Sequence, residues 1–544
     1  MRLNIFTYFK NNGIDTIDSS FYTQIQKWES WYNGDVQKFH HYYVYNGKDK
    51  IRCRRLSLCM AKKLCEDIAD LLLNEKIKIV VSGSDTTNEF VQDIFKKNKF
   101  LVKANDYQER KAYSGTVAYV VQIKDAVTDE EGNISGGDIQ INYVQAKNIF
   151  PISWENGEIT EVAFLFPKTV GRKKYALIQI HQLKTVEGKL QYVIENHVVQ
   201  CTRGAGTEIP PEKWNDLKPF AGISDEIMTG SDKPQFVIDR LNIVNNADED
   251  DTNPMGVSIF ANSLDTLAKI DMEYDSYANE FNLGRKRIFV APEMLYDLNG
   301  NPAFDENDTV FYQLPEETNM GNKPIYEVDM ELRADQHSKA INDDLNFLSF
   351  KCGFGTERYR FEKGNVTTAT QVISENSDMY RTLKKHEIIL DDVIRELIGI
   401  IIRLGIVLRV PVLKENAEIS IDFDDSIIED KQAERQSDRQ DVSMGVMSHA
   451  EYRAKWYGET LEEAQSNLPE QNQIMDDSVT IPGGGAITEV QGKSLNGAQT
   501  QSLIAIMSQF TAGELTEGQA VNLISTAIGI GKDEARAILN GDVT

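Results

Sequence analysis

Positive charge is scarce in this 544-residue sequence: 58 Lys and Arg stand against 84 Asp and Glu, a formal net charge of -26 at pH 7. That excludes a nucleic-acid binder working through a basic patch, because such affinity comes mainly from neutralising phosphates with Lys and Arg. An acidic surface repels DNA, which suits only a protein along which DNA must slide. Cysteine is sparse and odd in number, and the regular spacing of Cys53, Cys59 and Cys65, with Cys201 and Cys352 far off, fits no zinc signature. Reduced, cytosolic thiols are expected. Long hydrophobic runs are missing too. The most apolar segment, Leu397–Leu408, is interrupted by Arg403 and preceded by Asp391, Asp392, Arg395 and Glu396, which rules out an ordinary membrane span. Met1–Phe6 has no sustained apolar stretch, so no signal peptide is expected. Internal repeats and low-complexity tracts are absent.

Enzyme signatures occur only as fragments. His386-Glu387 opens like a zincin motif, but position 390, where the second zinc-ligating histidine must stand one turn on, is Leu. Gly529–Lys532 ends like a phosphate-binding loop, yet Thr526 replaces the upstream glycine and Asp533 follows Lys532. Asp297, Asn299, Asn301, Asp305 and Asp308 sit at calcium-loop positions, but Pro302 occupies the place where glycine makes the sharp turn, leaving either a weak metal site or a plain acidic turn. The histidines (His40, His41, His181, His197, His337, His386, His449) are scattered, and no nucleophile–base pair can be assembled from the sequence. The chain is expected to be no enzyme and to carry no cofactor.

What is present is a folded composition, 41% hydrophobic, with alternating element types. Periodic apolar residues predict helices over Ser19–Tyr32, Arg54–Asn74 and Thr87–Asn98, with a strand at Glu75–Val81. From about Tyr113 the pattern becomes β: Thr116–Ile123, Asp138–Val144, Ile159–Pro167, Lys174–Leu183 and Leu190–Val198 are strands rich in Val, Ile and Tyr. An acidic connector, Asn245–Asn253, follows. Val257–Leu283 reads as a long helix with one acidic face, ended by Gly284 and the basic cluster Arg285, Lys286 and Arg287. Ile288–Tyr326 is short strands and turns. Beyond Gly405 the expectations are a strand at Ala417–Phe423, helices at Asp424–Arg439, Ser448–Trp456 and Thr460–Ser466, a polar linker at Asn467–Ala498, and a small helical unit at Gln499–Gly541.

The chain is organised around Glu331–Leu404. A helix over Glu331–Phe350 is broken by Cys352–Thr356, and Thr368 and Gln371 form a capping-box pair that opens one continuous helix to Leu404, roughly 55 Å long at about 1.5 Å per residue. In the intervening loop Gly353, Gly355 and Gly364 provide backbone freedom. Arg358, Arg360 and Lys363 could touch phosphates, and Phe354, Tyr359 and Phe361 could stack. The alternative is a helix–helix connector whose aromatics are buried.

Three stretches resemble one family: Ser258–Asn262 leading into Tyr274–Tyr277 and Phe281–Ile288, then Leu348–Thr356, then Thr367–Ser377. They are similar to the portal proteins of tailed bacteriophages, in particular the branch from phages of Gram-positive hosts. The resemblance implies an α+β protomer with an α+β wing, a two-helix stem, a small α/β clip, a long tunnel-facing helix and a mostly helical crown. On that pattern the wing spans 1–254 and returns at 405–429. The stem helices are 255–284 and 331–352, the clip 285–330, the tunnel loop 353–365 with Gly353, Phe354, Gly355, Thr356, Arg358, Tyr359, Arg360, Lys363 and Gly364, and the long helix 366–404. Crown helices and linker would occupy 430–498, and a C-terminal helical unit 499–544. The family implies a homo-oligomeric, dodecameric ring at one capsid vertex of the virion, assembled in the host cytoplasm. Double-stranded DNA would pass through it without sequence specificity during packaging and ejection. Its partners would be the terminase large subunit, a head-tail adaptor, and the major capsid and scaffold proteins. A capsid or baseplate protein without a DNA channel is the competing expectation.

Overall fold

The computed structural model describes residues 4–45, 47–74, 76–128, 134–202, 204–284, 287–290, 311–313, 325–328, 331–359, 369–423, 431–457, 459–468, 503, 506, 507, 509, 510, 515–528 and 530–540. Its contacts divide the chain into two compact units, Met1–Tyr452 and Arg453–Thr544.

The first unit opens with α1 (Ile5–Asn11), α2 (Ser19–Tyr32) and α3 (Gln37–His40). α2 starts where the Asp18 carboxylate accepts from the Ser20 amide at 2.6 Å, and it buries Phe21, Ile25 and Trp28 at helical spacing. A hairpin of β1 (His41–Tyr45) and β2 (Lys50–Arg54) follows, then α4 (Met60–Leu72), β3 (Lys78–Ser82), α5 (Asp85–Lys97) and α6 (Phe100–Ser114). Next come β4 (Thr116–Thr128), β5 (Ile134–Gln145), β6 (Ile149–Glu155), β7 (Glu158–Val170), β8 (Lys173–Val186), β9 (Lys189–Gln200), β10 (Thr207–Ile209), β11 (Glu226–Met228) and β12 (Phe236–Arg240). α7 (Leu264–Leu283), β13 (Arg287–Val290), β14 (Phe311–Gln313), β15 (Ile325–Val328), α8 (Ala334–Lys351), α9 (Ala369–Val407) and β16 (Glu418–Asp422) complete the main body. α10 (Lys431–Ser443) and α11 (His449–Tyr457) lead to the second unit.

The antiparallel sheet β10-β9-β8-β7-β6, with β11 on β9, lies beside a three-stranded sheet β12-β4-β5, and β16 pairs with β3. The fold is thus α+β. Three expectations are corrected. The helix expected from Arg54 starts at Met60, because Arg54 belongs to β2 and the next amides are tied to side chains of α7. The helix expected from Val257 starts at Leu264. Residues before it are buried and apolar, but the Ile259 amide donates to the Ala112 carbonyl at 2.9 Å and the Gly256 amide to Thr116 Oγ1 at 2.8 Å, so tertiary bonds replace helical ones. Gly115 and Gly256 meet here backbone to backbone; a Cβ on Gly115 would sit 2.2 Å from the Gly256 carbonyl oxygen.

The third correction is α6, where the sequence pattern passes straight to β. Its inner face runs Phe100, Ala104, Gln108, Lys111, and the two polar residues break the apolar period. Both are fully buried because Asp239 of β12 takes them: Lys111 Nζ lies 2.7 Å from Oδ1, and Gln108 Nε2 donates to Oδ2 at 2.7 Å. A buried ion pair is costly to break from one side, and this one fixes the position of α6 against the sheet.

The great length of α9, 39 residues, has a packing explanation. Leu383, Leu390, Ile394, Leu397, Ile398, Ile401 and Leu404 are buried in the main core, and the helix crosses β12, β4 and β5. Arg403 donates to the Pro234 carbonyl at 2.9 Å, and the Asn242 side chain donates to the Lys385 carbonyl at 2.8 Å. Most of the helix is therefore the spine of the first unit.

In the second unit α12 (Leu461–Ser466) is opened by a reciprocal capping box between Thr460 and Glu463. α13 (Glu517–Ile528) and α14 (Lys532–Asn540) close a small core with Ile506, Val521, Ile524 and Leu539.

Two histidines are buried in neutral form. His181 lies between the rings of Phe164 and Phe236, each 5.4 Å away, and burial pushes its pKa down to about 3. His386 accepts from the Asn242 amide at 3.1 Å, and burial, with Lys111 and Lys385 adding, also lowers it to about 3. The unfolded chain takes up these protons near pH 6.5 while the folded chain refuses them. Stability must therefore fall as pH drops from 6.5 toward 3, by up to about 1.4 kcal/mol per pH unit for each group. Thermal unfolding at pH 7, 6 and 5 is expected to show a falling midpoint, and the double variant His181→Leu, His386→Gln a flatter dependence; an unchanged slope would place the protons elsewhere.

Candidate functional site: a helix pair and its loop

α7 and α8 form an antiparallel pair. Leu267 and Ile270 pack with Ile341, Leu345 and Leu348. Lys269 Nζ lies 2.8 Å from Asp344 at one end, and at the other Arg333 binds Glu280 through Nε (3.0 Å) and Nη2 (2.8 Å). That fork holds the Glu280 carboxyl down at about 2. His337 stacks on Tyr277 with ring centres 5.4 Å apart.

The acidic face of α7 is partly an inner face. Asp271, 5% exposed, accepts from His40 Nε2 (3.0 Å), Ser57 Oγ (2.8 Å) and the Leu58 amide (2.8 Å). Asp275 accepts from the Leu56 amide at 3.0 Å. The Val36 amide donates to His40 Nδ1 at 2.8 Å, which leaves the proton on Nε2, facing Asp271. Two carboxylates thus bolt α7 to the segment ahead of α4. The signal was in the sequence: Leu267, Ile270, Asp271, Tyr274 and Asp275 continue one buried helical period with acids in place of apolar residues.

α8 ends in a tight turn. The Gly353 amide donates to the Phe350 carbonyl at 3.1 Å and the Phe354 amide to the Ser349 carbonyl at 3.0 Å. Gly353 has φ +81, and a Cβ there would lie 2.5 Å from Thr382 Oγ1 of α9. Cys352 is buried, its thiol 3.7 Å from Ser263 Oγ. Phe354 is 3% exposed and meets Tyr359 edge to face at 6.0 Å. Burial, with the Asp67 carboxylate of α4 nearby, pushes the Tyr359 hydroxyl far above its ordinary pKa. Arg358 Nε lies 4.0 Å from Asp67, while Gly355 is buried and Thr356 exposed. The first part of the loop is therefore packed against α4 and α9. Arg360, Lys363 and Gly364 lie outside the described residues, as do Phe361 and the Thr368 half of the capping box.

Residues 12–476 match the family described as Phage portal protein, SPP1 Gp6-like. The chain belongs to that family. A solved chain from the neck of a native GTA particle computed with C12 symmetry is 10% identical, covering 73% of this portal protein and 88% of its own length, with a TM-score of 0.34. A chain from the neck of an empty GTA particle with C6 symmetry gives 10% identity, 72% and 87% coverage and the same TM-score. Likeness at that level carries no argument about function. No curated protein sequence matches this chain.

Between α7 and α8 in the chain of this portal protein lies a small sheet, β14-β13-β15, with Arg287 opposite Val328. Only strands occur among the described residues of 285–330. Arg285, Lys286 and the calcium-loop positions Asp297, Asn299, Asn301, Asp305 and Asp308 lie outside the described residues. Among the described residues no group of His, Cys, Asp or Glu is placed to hold a metal ion, and no helix is long and apolar enough to cross a membrane.

Gly353→Ala should be markedly destabilising, since it forces an L side chain to φ +81 and against Thr382. Pairing it with Thr382→Ala removes the two nearest atoms, Oγ1 and Cγ2, and leaves the backbone strain and a 3.2 Å approach to the Cβ of residue 382. The expected result is a partial recovery of the thermal midpoint; no recovery would mean the Thr382 contact relaxes freely.

Proposed function

We propose that this portal protein assembles into a ring, dodecameric by the family pattern, at one capsid vertex, and that the ring is the conduit for double-stranded DNA during packaging and ejection. The observation that carries this reading beyond the family is the unpartnered apolar flank of the stem. Phe347 and Phe350 of α8 are 60% and 63% exposed one helical turn apart, with Phe281 and Met272 of α7 49% and 46% exposed. Rings of aromatics left in water along a helix pair are what a neighbouring copy covers.

The regional assignment of wing, stem, clip, tunnel loop, long helix and crown is proposed with the boundaries given above, in a phage of a Gram-positive host. The clip at 285–330, with Arg285, Lys286 and Arg287, would meet the terminase large subunit and then the head-tail adaptor, and the wing would meet capsid and scaffold proteins. Twelve copies carry a formal charge on the order of -300, which keeps a polyanion from adhering to the channel wall. Energy for translocation would come from the terminase. In the tunnel loop, Arg358, Arg360 and Lys363 are the cations proposed to touch DNA, and Arg358 Nε also lies 4.0 Å from Asp67.

Electron microscopy of the purified protein with scaffold protein is expected to show rings with an axial channel as wide as a duplex. A persistent monomer would defeat the reading, and a closed axis would favour a capsid or baseplate role. Phe347→Glu with Phe350→Glu should abolish rings while leaving the monomer's thermal midpoint within a few degrees. In rings that assemble normally, Arg360→Ala with Lys363→Ala should reduce packaged DNA length or packaging rate; unaltered packaging removes their role.

A further inference from the structure

The β1–β2 hairpin stands apart from the core in packing and in charge. Its base is rigid: the Arg55 amide donates to the His40 carbonyl at 2.7 Å, the Arg55 guanidinium lies 4.3 Å over Phe39, and His40 is locked to Asp271. Beyond that base the ribbon is bare. Tyr43 is 67%, Tyr45 65%, Ile51 48% and Val44 45% exposed. The register pairs Tyr43 with Arg52 and Tyr45 with Lys50 on one face, and Val44 with Ile51 on the other. In a chain of net charge -26, residues 41–55 hold Lys48, Lys50, Arg52, Arg54 and Arg55 against a single acid, Asp49. A two-stranded ribbon is marginally stable in water by itself, and one with apolar side chains on both faces is a surface awaiting cover.

We propose that this hairpin is a docking arm that lies on the acidic connector of a second copy of this chain. The acceptor is the segment where Glu249, Asp250 and Asp251 are exposed beside Val244, itself 87% exposed. Cationic and aromatic residues of the arm match carboxylates and an apolar side chain there. Both patches sit at one level of the molecule: the connector is tied to the start of α7 through Asn246 and Asn262, and the arm to Asp271 and Asp275, within about 20 Å along the helix axis. Donor and acceptor are different surfaces of one protomer, so the contact is head-to-tail, the kind that closes rings. A duplex would satisfy the cations but offers nothing to Val44 and Ile51, whereas Tyr and Arg are the residues enriched at protein interfaces. The inference rests on the ring reading and adds to it a contact outside the stem.

The test is a charge-reversal cycle in the full chain, read by sedimentation velocity. Lys50→Glu with Arg52→Glu, and separately Glu249→Lys, Asp250→Lys and Asp251→Lys, are each expected to weaken ring association about tenfold or more, and their combination to restore it. Carbodiimide cross-linking of isotopically mixed copies should join Lys50 to the connector carboxylates between copies, not within one. Unaltered thermal midpoints control for folding. If the unmodified protein forms no rings, the ring reading itself fails. If it forms rings and both reversals leave them intact without the cross-link, the arm contact is wrong while the ring stands. Loss on arm reversal without rescue by the connector would assign another acceptor, and loss of duplex binding alone would make the arm a nucleic-acid contact; either overturns the proposal.

Discussion

Asp271 is the carboxylate on which the arrangement of the first unit turns. It sits midway along α7, nearly sealed from water, and satisfies its oxygens with an imidazole, a hydroxyl and a backbone amide from the segments before and after the hairpin. Removing it would leave those donors unmet in a low-dielectric site, which is the expensive direction in which to break such a cluster. With Asp275 it ties α7 to the segment between β2 and α4. At their far end α7 and α8 hold each other through Glu280–Arg333 and the Tyr277–His337 stack. The exposed phenylalanines are shared between the two helices, Phe281 on α7 and Phe347 and Phe350 on α8.

Much of this was legible in the sequence. Helices such as Ser19–Tyr32 announce themselves with a capping acid and a clean apolar period, and the central strands with runs of Val, Ile and Tyr. The break after α8 was readable because glycine marks the left-handed turn, and the structure gives Gly353 that conformation. The elements that escaped did so for one physical reason. α6 hides because Lys111 and Gln108 are core residues made tolerable by Asp239, more than a hundred residues away, and no local pattern reports a partner that distant. The start of α7 was misplaced for the same reason: Met255, Val257 and Phe260 are buried like a helix face, but their backbone is spoken for by Ala112 and Thr116.

The candidate loop shows the limit from the other side. Aromatics between two long helices in the sequence admit both a packed connector and a stacking surface. Phe354 and Tyr359 prove to be packed, and Arg358 Nε lies 4.0 Å from the Asp67 carboxylate of α4. The described part of the loop is a joint that couples α4, α8 and α9, so the geometry beyond it is set by three helices at once. The length of α9, which the sequence shows as one unbroken apolar period, is accounted for by the sheet it crosses.

One pairing has a consequence in time. Among the described residues β3 pairs with β16 alone, and the Lys414 amide reaches Thr87 Oγ1 across 327 residues of chain. At a synthesis rate of about 5–20 residues per second, the edge of β3 waits roughly 20 seconds to a minute for that partner to leave the ribosome. During this interval α7, the small sheet β14-β13-β15, α8 and α9 all emerge while the β3–β16 pair is still unformed. An unpaired strand edge is a template for the wrong neighbour, and in the crowded setting of many identical nascent chains it is an invitation to pair between copies. The exposed Val80 on β3 makes that hazard concrete. Pairing of β3 with β16 therefore comes late in the chain's synthesis, and the window before it is when a chaperone has most to protect.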